Sequence, residues 1–383
     1  MPRLVNGEPE TALVGCTGAY PSTVALLLAT VLALISPTSA SATTPTASLE
    51  SVLNQASSLA PLETVIVASN GQVVAEHGYR GHTTTAPTNI KSASKLVISA
   101  LVGIAIDKGV LEGTDQPVAL LLAQDLPAKP DPRLQQLTIG HLLSMQAGLG
   151  STSGPGYGAW VGSRNWVQAA LARPFEDEPG RPDDLLHRLH PPALGDPDTT
   201  ERTFDAATRP RLAGATRRLP DRRLDAGSAG HLHGGNEMAM SPRSLAFGEL
   251  YRTGGVTPAG ERLISREWID TSWQLRTRSP WTGDGHGYAW FLTRIAGEDV
   301  RYGWGYGGQM LYLVPRLGLT VVMTSNESAS SAQSGHRNDL HRLLGRIIVA
   351  AIQADHALGT ASANRVSKNA WTSAHERRSA SSW

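Results

Sequence analysis

Ser92 and Lys95 stand three residues apart in Ser92-Ala93-Ser94-Lys95, at the head of a nearly continuous apolar run, LVISALVGIAID, that ends at Asp107. On a helix this spacing stacks the two side chains on one face, one turn apart. A lysine beside a serine hydroxyl can act as its general base once desolvation lowers the ammonium pKa toward neutrality. The N-terminus of the helix adds backbone donors and a positive dipole end where an oxyanion would form. The chemistry is nucleophilic attack on a carbonyl. Ser-x-x-Lys alone is common, and its plain alternative is a capping serine with a surface lysine. An almost wholly apolar helix, however, is an expensive place for a charge that has no work to do.

The elements that must hold this pair can be read on both sides of it. Thr64 to Ala68 and Val73 to Tyr79 are short apolar runs around Asn70-Gly71, a strong hairpin signal. Ser94 to Asp107 reads as a helix stopped at Gly109, and a helix apolar on most sides is buried. Tyr288 to Ile295, Gly308 to Val314 and Thr320 to Thr324 read as strands, and Leu340 to Gln353 as a closing helix. Strands at both ends with a long helical and irregular middle predict one α/β body with an inserted α region. The expected boundaries are 43–112 and 234–357 for the body, 113–233 for the α domain, and a disordered tail over 358–383.

Four segments in order resemble the serine β-lactamase, penicillin-binding-protein and esterase superfamily, in its class C-like branch with esterases and 6-aminohexanoate-dimer hydrolases. Asn89-Ile90-Lys91-Ser92-Ala93-Ser94-Lys95 is similar to the nucleophile segment. Leu137 to Leu149 (LTIGHLLSMQAGL) is similar to a highly specific helix motif. Met240 to Leu245 with Phe247 to Tyr251 is similar to a later helix, and Gly303-Trp304-Gly305-Tyr306-Gly307-Gly308-Gln309, ending in Met310 to Pro315, to the strand of the third motif. The resemblance covers roughly residues 60 to 180 and 234 to 355. It implies an α/β (α+β) fold, an antiparallel sheet flanked by helices with an inserted α-helical domain and the site between them. It implies that Ser92 attacks, that Lys95 takes the proton, and that the backbone N–H groups of Ser92 and Tyr306 form the oxyanion hole. Gly305, Gly307 and Trp304 are then substrate-binding positions, the glycines because a carbonyl must approach the strand closely. A plain bulge or turn is the other reading of these glycines.

The same likeness bears on substrate. In β-lactamases and transpeptidases the third motif opens with a lysine or histidine that helps bind a carboxylate. Gly303 and Trp304 stand there in this chain, although Arg301 is near enough in sequence to supply a cation. The expectation is a serine hydrolase acting through an acyl-enzyme on ester or amide carbonyls, with short acyl and oligoamide substrates favoured over β-lactams. The alternative is a catalytically impaired or silent relative that binds acyl or peptide ligands. It rests on a departure from the pattern: the family's second motif supplies a tyrosine soon after Phe175 to Gly180, and no tyrosine exists between Tyr157 and Tyr251. Arg181 to His233 is instead rich in Arg, Pro, Asp and His and lacks helical periodicity. Codons for Pro182 to Pro191, read one base later, can spell Arg-Met-Ile-Tyr-Ser-Thr-Gly-Ser-Thr-His, the missing motif. Asp183 permits only Met or Thr in that frame. Residues 181–233 therefore read as a translated frameshift, with the tyrosine codon falling across Leu185.

Bulk properties bound the rest. With 40% hydrophobic and 17% charged residues the chain is globular, and a formal net charge of +1 makes no electrostatic case for nucleic acid. Val24 to Ile35 followed by Ala40-Ser41-Ala42 reads as a secretory signal with cleavage after Ala42, so residues 1–42 are a signal peptide or N-terminal anchor. Export to the periplasm or medium is expected, with membrane contact only through that segment if it is uncleaved. Two features fit this poorly: Glu8 and Glu10 beside a lone Arg3, and the lipoprotein-like Leu13-Val14-Gly15-Cys16, which precedes the apolar run. The one cysteine, Cys16, lies there, which leaves no disulfide or thiolate metal site in the mature chain. His231 and His233 have no carboxylate partner at zinc spacing. There is no Gly-x-Ser-x-Gly elbow and no phosphate loop, so no cofactor is expected. Trp160, Trp166, Trp273, Trp281 and Trp290 are expected in the core more than in a cleft.

Overall fold

In the computed structural model, which describes residues 48–152, 156–181, 238–328 and 330–356, Asn70 and Gly71 both take positive φ, 47° and 83°. That backbone matches the twist of a two-residue hairpin, and it joins β1 (Leu62–Ser69) to β2 (Gln72–Gly78). The signal segment with Cys16, the 182–233 stretch with Leu185, His231 and His233, and the 358–383 tail lie outside the described residues. After β2 come β3 (Thr88–Asn89), β4 (Ala239–Met240), β5 (Thr277–Arg278), β6 (Gly285–His286), β7 (Phe291–Ile295), β8 (Glu298–Gly305), β9 (Gln309–Val314) and β10 (Leu319–Ser325). Eight of them form an antiparallel sheet in the order β2-β1-β10-β9-β8-β7-β6-β5, while β3 pairs only with β4. The first strand therefore lies against the last. The described residues between β2 and β5 add no strand to that sheet, and β3 and β4 pair apart from it.

Each face of the sheet carries its own apolar cluster. On one side, α1 (Leu49–Ala56) and a closing helix cover Val65, Val67, Val300, Tyr312 and Val321 through Leu53, Leu344 and Ile348. On the other, α2 (Ser94–Asp107) packs Leu96, Val97 and Val102 with Ile66, Leu311, Leu313 and Val322. The alternation along each strand feeds both clusters, which is what a sheet buried on two faces requires.

Three expectations are corrected in detail. The strand read from Tyr288 begins at Phe291, because Ala289 is left-handed (φ 69°) and its N–H donates to Leu143 O at 2.9 Å. The closing helix spans 336–356, longer at both ends than its apolar core suggested. The segment from Met240 to Tyr251 is not one helix. Two short helices, Pro242–Leu245 and Glu249–Arg252, flank a 3-10 turn over Ala246–Gly248.

In α3 (Ile139–Leu143) the structure gives the Thr-x-x-His spacing of the helix motif a physical reason. Thr138 Oγ1 accepts from the His141 N–H, and His141 Nδ1 accepts from the Thr138 N–H, each at 3.3 Å. This reciprocal cap satisfies two backbone donors that a helix start leaves open. Beyond it, α4 (Arg266–Ser272) is capped by Ser265, and α5 is the closing helix.

Candidate active site around Ser92 and Lys95

The candidate nucleophile segment is fixed before α2 begins. β3 pairs with β4, and the Ile90 N–H donates to Met238 O at 3.0 Å, which ties the segment to the chain beyond residue 237. Ser92 lies in a 3-10 turn over Lys91–Ala93 that leads directly into α2, whose first turn carries Lys95. Asn89 Oδ1 accepts from the Lys91 N–H at 2.9 Å, the kind of local side-chain bond that stabilises a tight turn. Lys91 itself has φ 50°, in the left-handed region a lysine seldom visits.

Ser92 is 7% exposed and Lys95 6%. A buried ammonium loses hydration, which disfavours its charged form and favours its use as a base. The same burial acts on His286 in β6. It pushes that imidazole down to about 4, and the Lys95 ammonium is the second cause. His286 is therefore a neutral neighbour of the Lys95 site that sequence reasoning missed. An isolated Gly-His-Gly far down the chain carries no signal that sheet pairing will bring it here.

The third-motif segment is not one strand. It spans the end of β8, a turn, and the start of β9, with Tyr306 at the turn and 40% exposed. Its glycines are there for packing and backbone conformation. A Cβ at Gly305 would overlap the carbonyl oxygen of Ile90, and one at Gly303 would overlap Leu96, so these residues let β8 lie directly against the nucleophile segment. Gly307 and Gly308 have φ of 83° and 109°, and the Gly308 N–H closes the turn onto Gly305 O at 3.0 Å. The turn reading explains Gly307 and Gly308, and contact with the protein's own backbone explains Gly305.

Trp304 alternates to the opposite face. Its indole packs on the α1 and α5 cluster and donates to Ser331 Oγ at 3.1 Å, which leaves the expected substrate contact to its backbone alone. Arg301 lies over the Trp273 ring at 5.9 Å, half-buried, with burial lowering its pKa. It borders a cleft shared with Arg278, Asp284 and Asp299 at the β5–β8 end of the sheet. Of the five tryptophans, Trp160 and Trp290 are buried, Trp166 and Trp273 pack against them, and Trp281 is exposed.

The position expected for the second-motif tyrosine lies outside the described residues, but the chain leading to it is anchored. Glu176 N–H donates to Gly148 O at 2.8 Å, Gly180 N–H donates to Gln146 O at 2.8 Å, and Gly180 lies against the His141 ring. Tyr251 cannot stand in. It is wholly buried against Trp273 and Trp290, and burial pushes its phenol up to about 12.

Residues 49–184 match the family model described as Beta-lactamase. No curated protein sequence matches the chain. Solved structures align over most of it. The Bacillus anthracis protein assigned as a 6-aminohexanoate-dimer hydrolase has a TM-score of 0.62 at 14% identity, over 80% of this chain and 82% of that one. EstCE1, a hydrolase with promiscuous acyltransferase activity, has 0.59 at 17% identity, over 79% and 97%. A penicillin-binding-protein homolog from Caulobacter crescentus has 0.57 at 17% identity, over 80% and 97%. The fold is that of the β-lactamase and penicillin-binding-protein superfamily. The chain thus has a β-lactamase-type fold, and its candidate nucleophile segment and L-T-I-G-H-L-L motif both fall inside the matched stretch.

Proposed function

We propose that this chain is a serine hydrolase that cleaves ester or amide carbonyls through an acyl-enzyme. Lys95 Nζ takes the Ser92 hydroxyl proton as Oγ bonds to the carbonyl carbon. The carbonyl π electrons move onto oxygen, and the N–H groups of Ser92 and Tyr306 stabilise that oxyanion. Collapse expels the leaving group, and water then releases the acid. The single observation that carries the reading is Lys95 buried one helical turn from buried Ser92, at the N-terminus of an apolar helix and against a glycine-lined strand end. The absence of a cation at Gly303 and Trp304, with neighbours that include a protein assigned as a 6-aminohexanoate-dimer hydrolase and a family VIII carboxylesterase, favours short acyl esters and oligoamides. Secretion through the 1–42 segment belongs to the same proposal.

A fluorophosphonate probe should label Ser92, and Ser92→Ala should abolish labelling. Labelling that persists in Ser92→Ala would assign the nucleophile elsewhere. The second reading, an impaired acyl-binding relative, is favoured by the missing tyrosine, because leaving-group protonation then lacks its donor.

A further inference from the structure

We propose that the Lys91–Glu327 ion pair is a clamp that sets the spacing of the two backbone donors, Ser92 N–H and Tyr306 N–H; this rests on the proposed function of those two residues. Lys91 immediately precedes Ser92 and holds φ 50°, a conformation that persists in a non-glycine residue only where its surroundings impose it. Two contacts do so. The backbone N–H donates to Asn89 Oδ1 at 2.9 Å, and Nζ lies 3.1 Å from Glu327 Oε2.

Glu327 follows β10 in a loop held by the Asn326 N–H on Pro61 O and the Ser328 N–H on Asn326 Oδ1, both at 2.8 Å. That loop is seated on the Tyr306 turn. A Cβ at Gly307 would come within 2.6 Å of Asn326 O and 2.9 Å of Glu327 Cα. The ion pair adjoins Ser92 directly in the chain on one side, and one contact separates it from the neighbour of Tyr306 on the other. Loosening the pair releases the left-handed turn before Ser92 from the loop behind Tyr306. Oxyanion stabilisation depends on where both donors point, so a small change in their spacing slows the acylation step and leaves ground-state binding alone.

The exposure of the two side chains supplies a signature. Lys91 is 19% exposed and Glu327 47%, so the bond is open to screening by salt. The test measures fluorophosphonate labelling of Ser92 and turnover of an uncharged nitrophenyl ester by the full chain, because neither reaction needs a protonated leaving group. Glu327→Gln should lower kcat and the labelling rate on the order of tenfold with KM little changed. Lys91→Met should do the same, and the double variant should be no slower than either. The exchanged pair, Lys91→Glu with Glu327→Lys, should regain most of the rate. Raising ionic strength should slow the unmodified protein toward the Glu327→Gln rate and leave that variant unaffected. A Glu327→Gln protein that labels at the unmodified rate with the same salt response overturns the clamp. So does an exchanged pair as slow as the single variants while the thermal midpoint is unchanged. Failure of the unmodified protein to label at Ser92 overturns the proposed function, and the clamp with it.

Discussion

A lysine buried at the head of an apolar helix must either surrender its charge or find compensation for lost hydration. Lys95 lies three residues after Ser92 in the chain and near a histidine that its charge helps keep neutral. Removing its amine in Lys95→Met should therefore lower esterase turnover by about a hundredfold or more. Lys95→Arg should not rescue it, because a guanidinium stays protonated and cannot accept the hydroxyl proton. Nitrophenyl-ester turnover, read beside the thermal midpoint, checks this. Rescue by arginine would mean that Lys95 acts by charge and not as a base. Ser92 and Lys95 could be singled out as candidates because a charge in an apolar run stands out. Lys91, one residue away, was not: its role comes from its φ and from Glu327, which only the sheet brings near.

At the scale of elements, Gly303 and Gly305 let β8 lie close against α2 and the turn before it. A Cβ at Gly303 meets the flexible end of Leu96, whereas one at Gly305 meets the Ile90 backbone. A leucine can change rotamer; a carbonyl inside a paired segment cannot. Gly305→Ala should thus cost more than Gly303→Ala, about 1–3 kcal/mol as overpacking does, and should slow Ser92 labelling where Gly303→Ala leaves it nearer normal. Denaturant midpoints and labelling rates on both variants measure the difference, and equal effects would refute the backbone argument. The hairpin and α2 could be read in advance because Asn-Gly and a run of apolar residues are local signals. The start of β7 could not, because Ala289 is turned by a hydrogen bond to Leu143, which no local pattern announces.

At the scale of the molecule, burial depresses the pKa values of four histidines. His286 and His341 fall to about 4, and His141 and His336 fall below their ordinary value, with desolvation the largest cause in each. The unfolded chain therefore binds more protons below about pH 6.5. Stability from these groups is complete above that pH, declines as pH falls toward 4, and changes little below it. His286 alone should account for about 3 kcal/mol between pH 7 and pH 4. Urea midpoints across that range should fall, and His286→Gln should flatten the slope. A flat profile in the unmodified protein would contradict the burial argument. The expected frameshift also belongs at this scale. Restoring the shifted frame over 182–233 should recover amide hydrolysis by roughly 10²–10⁴-fold, with much smaller gains on nitrophenyl esters, since an amine leaving group needs a proton and a nitrophenolate does not. Equal, high activity of both proteins on amides would overturn it, as would a gene whose shifted frame lacks Met-Ile-Tyr-Ser.

What the sequence determined by itself was whatever rests on near neighbours. Residue order put Ser92 and Lys95 at the head of α2, Asn70-Gly71 turned the hairpin, and motif order led to the fold. Tertiary structure decided what depends on which strands become neighbours. Pairing of β1 with β10 and of β8 with β9 sets Glu327 against the Tyr306 turn, sends the Trp304 indole to the far face, and buries His286 near Lys95. Those contacts join residues far apart in the chain, and a strand's own pattern tells which residues alternate but not which strand will lie beside it.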